Sequence, residues 1–133
     1  MTQQQIVNTC LALPGAYLDY PFGLDTAICK VKAPSQEAGR IFAQVFTLRG
    51  EPTATFNCDR PTGEFYRQVY PEAVTRGWHC PPVMQPYFNT VKLDGSVPDE
   101  EILRMIEHAY QVVRGKLPKY AQRELEELPC KST

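Results

Sequence analysis

Basic side chains are the residues of this sequence best suited to do chemistry, and the chemistry they suit is contact with phosphate. Residues 26–92 contain eight basic and five acidic residues, in a chain whose net charge is −1. Phosphate contact needs lysine or arginine projected from one surface, whereas sequence readout needs side chains that reach base edges. The candidate phosphate contacts are Lys30, Lys32, Arg40, Arg49, Arg67, Arg76 and Lys92.

Aromatic side chains in two irregular segments form a second candidate site. The segment LPGAYLDYPFG at 13–23 and the proline-rich segment at 78–87 contain residue types that are common at protein interfaces. The candidates are Tyr17, Tyr20, Phe22, Trp78 and Tyr87. These side chains either close one end of the core or form the contact surface of a protein-interaction module, and the sequence leaves both alternatives open.

Histidines and cysteines do not form a catalytic or metal-binding pattern in this sequence. The chain has two histidines and five cysteines, none of the cysteines in a CxxC pair, and it contains no GxGxxG, P-loop, HExxH or GxSxG motif. A cysteine nucleophile needs a base in spatial contact, which the sequence neighbours His79 and Cys80 do not establish. The sequence therefore predicts no catalytic residue, no metal and no cofactor.

Length and composition predict one small globular domain. A chain of 133 residues with 43% hydrophobic residues can bury a core of its own. No apolar run is long enough to span a membrane, and the N-terminus lacks the features of a signal peptide. We expect a domain at 1–116 with a helical tail at 117–133, a cytoplasmic monomer without membrane association.

The order of predicted elements indicates a two-layer α+β fold. Helical spacing of apolar residues predicts helices at 3–13 and 97–114, capped by Thr2 and Ser96, and a weaker helix that Asp59 caps. Alternating or β-branched segments predict strands at 26–32, 40–49, 53–58, 72–76 and 87–93. The order α-β-β-β-α-β-β-α predicts an antiparallel five-stranded sheet with helices on one face.

Three segments of the sequence resemble the MmcQ/YjbR family of small bacterial proteins. They are LPGAYLDYPFG at 13–23, FNCDRP at 56–61 with YPEAV at 70–74, and FNTVKLDGSVPDEEILRMIEHAYQVV at 88–113. The resemblance implies an α+β fold similar to secretion-chaperone and frataxin-like domains. It also implies a DNA-binding protein that contacts mainly the phosphate backbone of double-stranded DNA. The alternative is a protein-interaction module with neither nucleic-acid nor catalytic activity.

Overall fold

A six-stranded antiparallel sheet and four α-helices make up the computed structural model, which describes residues 1–77 and 80–128. Trp78, a candidate interface residue, lies outside these ranges. The strands lie in the order β1-β2-β3-β4-β6-β5. In chain order the elements are α1 Gln3–Leu11, β1 Ala16–Asp19, β2 Ala27–Val31, β3 Arg40–Leu48, β4 Glu51–Asn57, α2 Arg60–Val69, β5 Val74–Arg76, a short 3₁₀ turn at Gln85–Tyr87, β6 Phe88–Lys92, α3 Asp99–Arg114 and α4 Lys119–Glu127.

The sixth strand corrects the prediction of five. The segment 13–23 was expected to be a loop because Pro14, Gly15 and Pro21 are turn residues. Between them, Ala16–Asp19 forms β1 and pairs antiparallel with β2 along its whole length. Four residues are too few for a period-2 pattern to stand out, so the pairing with β2 decides the conformation of this segment.

Two of the three predicted helix caps are confirmed. The Thr2 side chain accepts from the Gln5 N–H while the Gln5 side chain accepts from the Thr2 N–H, which is a capping box. Asp59 accepts from the Thr62 N–H at 2.8 Å and caps α2. The prediction of Ser96 as the third cap was wrong.

Helix α3 begins at Asp99, two residues later than predicted, with Pro98 at its N-cap. The reason is the extended backbone of Pro98, with a ψ of 147°, after which the helical conformation begins; in the preceding turn the Ser96 N–H donates to the Asp94 carboxylate at 3.0 Å. Val97, which was expected inside the helix, is instead buried in the core ahead of it. The connection between β6 and α3 therefore consists of a turn followed by the buried side chain of Val97.

The helices pack on one side of the sheet. Helices α1 and α3 contact β2, β3 and β4, and α2 contacts β5 and β6. The register between β2 and β3 shifts at Cys29/Lys30, and the bulge leaves Phe42 without a partner on β2. The Phe42 ring meets the Tyr110 ring of α3 edge-on, with centroids 5.6 Å apart. The bulge thus adds an aromatic contact that strict alternation would not provide.

Helix α4, predicted as part of a tail, packs into the same core as the other helices. Ala121 and Leu125 are 0% and 2% exposed and belong to the main hydrophobic cluster. The Arg114 guanidinium of α3 donates to the Gln122 carbonyl at 3.3 Å. Gly15 holds a left-handed φ of +73° under this helix, and a β-carbon there would collide with Leu125. The packing position of α4 therefore depends on the turn that precedes β1.

Because Leu125 is buried in the shared core, Leu125→Ala should lower the free energy of unfolding by about 2–5 kcal/mol. Tyr120→Ala on the same helix is the control, since Tyr120 is 48% exposed. Urea unfolding followed by circular dichroism measures both. Equal, small effects of the two substitutions would show that α4 is an appendage that the core does not need.

Candidate functional site

The register of the sheet assigns its side chains to two faces. One row of neighbouring residues crosses all six strands and faces the helices; it consists of Leu18, Cys29, Ala43, Phe56, Asn89 and Arg76. The next row projects to the opposite side and consists of Asp19, Ile28, Gln44, Thr55, Thr90 and Thr75. Within the described residues no helix packs on this second side, which we call the open face, although Ile28, Thr55 and Thr90 at its centre are buried.

Four of the seven predicted phosphate contacts lie on or beside the open face. Lys30 and Lys92 stand two residues from Ile28 and Thr90, so alternation places them on the same side. Lys32 continues the alternation beyond β2, and its ammonium lies 5.5 Å from the centre of the Tyr17 ring. Arg49 lies in the turn between β3 and β4.

Lys30 is partly neutralised, whereas Lys92 and Arg49 are not. The Lys30 ammonium lies 2.8 Å from the Asp19 carboxylate, and this hydrogen-bonded pair lowers the pKa of Asp19 and raises the pKa of Lys30. Both Lys92 and Arg49 are exposed. In the part of the chain that the structure describes, neither has an ion pair within 4 Å. These two cations therefore lack the direct carboxylate contact that Lys30 has.

A groove of about 290 Å³ separates the β3–β4 turn from β5 and β6. Its lining comprises Leu48, Arg49, Glu51, Thr53, Ala73, Thr75, Thr90 and Lys92. Behind it, the hydroxyl oxygens of Thr55 and Thr90 lie 3.0 Å apart and share one hydrogen bond. The groove, which the sequence did not reveal, brings Arg49 and Lys92 to one concave surface together with threonine hydroxyls.

The other three predicted phosphate contacts lie elsewhere. Arg40 begins β3 and Arg76 ends β5; both are exposed, but their cross-strand partners Val31 and Asn89 belong to the helix-facing side. Arg67 points inward from α2. The set predicted from sequence is thus divided between the open face, the margins of the sheet and the interior.

Arg67 links α2 to β6 rather than projecting into solvent. Its Nη1 donates to the Asn89 Oδ1 at 2.7 Å and to the Pro86 carbonyl at 3.5 Å. Its Nη2 is buried without a hydrogen-bond partner among the described residues. Asn89 in turn donates to the Gly63 carbonyl at 3.4 Å. Because the Arg67 guanidinium donates to these internal partners, it holds α2 in place over the sheet.

The aromatic candidates form two separate groups. Tyr20 and Phe22 are 40% and 73% exposed in the connection after β1, whereas Tyr87 precedes β6 near the other edge of the sheet. Tyr17 has a structural role, because its hydroxyl accepts from the Gly39 N–H at 2.9 Å. The loops predicted as one interaction surface are therefore well apart.

The Cys58–Asp59 segment holds α2 and α3 together. The Asp59 N–H donates to the His108 Nε2 at 3.1 Å, which requires that nitrogen to be unprotonated. Burial raises the pKa of the Cys58 thiol to about 11, so it remains protonated at neutral pH. Residues 1–77 and 80–128 contain no group of three histidine, cysteine or acidic side chains placed to hold a metal ion.

In the same part of the chain, no helix combines the length and apolarity that a membrane span requires.

Arg67→Ala should destabilise the fold by about 2 kcal/mol, because it leaves the buried Asn89 amide and Pro86 carbonyl without a charged donor. Arg76→Ala is the matched control and should change stability by less than about 0.5 kcal/mol, since Arg76 is exposed. Chemical unfolding of both variants makes the comparison. If Arg67→Ala is as neutral as Arg76→Ala, the inward network does not stabilise the fold.

Comparison with known proteins supports both the family and the fold. The sequence model of the YjbR family matches residues 11–112. The chain is 26% identical over 128 residues to "Uncharacterized protein YjbR" of Escherichia coli, strain K12, and the match covers 96% of this chain and all of the relative. The corresponding protein of Escherichia coli O157:H7 matches equally well.

Solved structures share the architecture. Deinococcus radiodurans protein DR2400 superposes with a TM-score of 0.82 at 26% identity, covering 99% of this chain and 95% of that one. A Pseudomonas syringae protein superposes with a TM-score of 0.66 at 15% identity, covering 85% and 99% of the two chains, and shows the shared fold alone. With the family model matched over most of its length, this chain belongs to the YjbR family.

Proposed function

We propose that this protein binds double-stranded DNA by contacting the phosphate backbone with the basic residues of the open face. The observation that carries the proposal is the proximity of Arg49 and Lys92, two exposed cations with no ion pair within 4 Å among the described residues, on a sheet face that no described helix covers. Lys30 and Lys32 extend the charge toward β1.

The distribution of charge between the two layers supports binding through the sheet. The open face carries four basic residues (Lys30, Lys32, Arg49 and Lys92) against the carboxylates of Asp19 and Glu51, whereas α3 contains four acidic and two basic residues. A phosphate backbone is repelled by α3 and attracted by the open face. This asymmetry orients the protein on DNA even though its net charge is −1.

The lysines are spread widely over the open face. Lys30 on β2 and Lys92 on β6 are three strand spacings apart, about 14 Å across the sheet at the usual separation of neighbouring strands. Their registers on β3, at Ile41 and at Phe46, also separate them along the strands by roughly 13 Å, so the two lysines contact separate phosphates. The face between them carries threonine and glutamine side chains and the buried Ile28 and Phe46, which favours backbone contact over base readout.

A protein-interaction role has its own supporting feature at a different place. Phe22 and Leu24 are 73% and 85% exposed in the connection between β1 and β2. Apolar side chains this exposed are typical of contact surfaces. A partner bound there would be lost on Phe22→Ser with Leu24→Ser, while DNA affinity would be unchanged, so the two functions separate experimentally.

Binding to a fluorescent duplex, followed by anisotropy at low salt, should weaken steeply as salt is added. Each phosphate contact contributes roughly −0.9 to the slope of log K against log salt, so four contacts give a slope of about −3 to −4. Lys92→Gln and Lys32→Gln should each reduce the size of that slope by about 1.

Lys119→Gln is the matched control, because Lys119 is exposed at the start of α4 in the helix layer. It should leave both affinity and slope unchanged. The proposal fails if the wild-type protein does not bind at low salt, or if the control weakens binding as much as Lys92→Gln does.

A further inference from the structure

We propose that the groove beside the β3–β4 turn seats a single phosphate group, held between Arg49 and Lys92. The ligand class is orthophosphate or a phosphate ester with room to enter a concave site of about 290 Å³. The inference rests on the proposed function only in placing this phosphate site on the DNA-binding face. The seat itself is tested separately.

The backbone of Arg49 is the first argument. Leu48 pairs with Glu51, so only two residues make the turn, and both have left-handed φ angles, +52° at Arg49 and +81° at Gly50. A two-residue turn with this conformation favours asparagine followed by glycine. Among the described residues, Arg49 is the one non-glycine residue with a positive φ. An arginine is a poor choice for the turn, and strain of this kind clusters at binding sites.

The charges in the groove are the second argument. Arg49 and Lys92 contribute two positive charges and Glu51 one negative charge, and no ion pair within 4 Å joins these three among the described residues. The lining therefore carries one net positive charge, which Asp94 outside the groove partly offsets, since hydrogen bonds from Ser96 and the charge of Lys92 lower the pKa of the Asp94 carboxyl. A guanidinium offers two parallel donors to a phosphate, and the ammonium adds a point charge from the other side.

Two threonine hydroxyls provide further hydrogen-bond donors to the proposed phosphate site. Thr55 is 1% exposed and its hydroxyl has Thr90 as its hydrogen-bond partner, so its proton is best satisfied by donating to Thr90. The Thr90 proton is then free for a ligand. Thr75 is exposed and its hydroxyl has no hydrogen-bond partner in the described ranges, whereas the Thr53 hydroxyl donates to the Glu51 carbonyl at 3.0 Å. Two hydroxyls thus join two cations in facing the groove.

The test is a titration with inorganic phosphate at constant ionic strength, followed by ¹⁵N–¹H correlation spectra of the full chain. Chloride at the same ionic strength is the blank. We expect saturable shifts of the Arg49, Gly50 and Lys92 amides at millimolar phosphate and none with chloride. The absence of saturable shifts, or equal shifts with chloride, would overturn the seat.

Substitutions distinguish an effect on phosphate binding from an effect on the conformation of the turn. Arg49→Asn suits the left-handed turn and should leave the melting temperature equal or higher while weakening phosphate binding about tenfold or more, the effect of losing one charge-assisted contact. Glu51→Gln should tighten phosphate binding, because it removes the opposing charge. Arg76→Gln, outside the groove, should leave it unchanged. Unchanged binding by the well-folded Arg49→Asn protein would overturn the proposal.

Two DNA arms then distinguish the source of the phosphate. A duplex with 5′-phosphate ends that outcompetes its 5′-hydroxyl counterpart assigns the seat to a terminal phosphate, whereas equal competition assigns it to backbone or free phosphate. If the protein binds DNA but phosphate causes no saturable shifts, the proposed phosphate site is overturned and the proposed DNA binding is retained. Phosphate shifts without DNA binding support the seat and overturn the proposed function.

Discussion

The register of the β3–β4 hairpin is the constraint on which the rest of the structure depends. The two-residue turn at Arg49 and Gly50 aligns Leu48 with Glu51, and from there every side chain of β4 is assigned to the core or to the open face. A slip of one residue would move Ala54 out of the core and bring the Thr53 and Thr55 hydroxyls against the helices. An unsatisfied buried hydroxyl costs about 1–3 kcal/mol, so the core itself selects the observed register.

The same hairpin links the fold to the candidate site. A left-handed conformation costs a residue with a β-carbon roughly 1–2 kcal/mol, which Gly50 avoids and Arg49 does not. The helix layer is held to the sheet through the Phe42–Tyr110 contact and the Arg67–Asn89 hydrogen bond. No described helix lies on the opposite side, where Lys92 and Arg49 are exposed.

Much of the secondary structure follows from local sequence, because caps and periodicity are local properties. Thr2 and Asp59 cap the predicted helices, and five strands lie close to their predicted positions. The strand β1 could not be found in this way, because its four residues owe their conformation to pairing with β2. Ser96 was misassigned because the backbone of Pro98 is extended, so that the helix begins at Asp99 and not next to Ser96.

The candidate site was less accessible from sequence, because charge alone does not reveal which way a side chain points. Arg67 and Lys92 look alike in the sequence, yet one is bound to Asn89 inside the fold and the other is exposed. The pairing of Lys30 with Asp19 required β1, which the pattern missed. The groove joins residues from β4, β5, β6 and the turn, which are distant in the chain and meet only through the strand order.

The central proposal is that the open face of the sheet is the surface that contacts phosphate. Lysine acetylation footprinting by mass spectrometry, with and without duplex DNA at low salt, tests it most directly. The account predicts protection of Lys92 and Lys32 and unchanged labelling of Lys116 and Lys119, which are exposed in the helix layer. Protection centred on Lys116 and Lys119, or protection of none of the four, would contradict it.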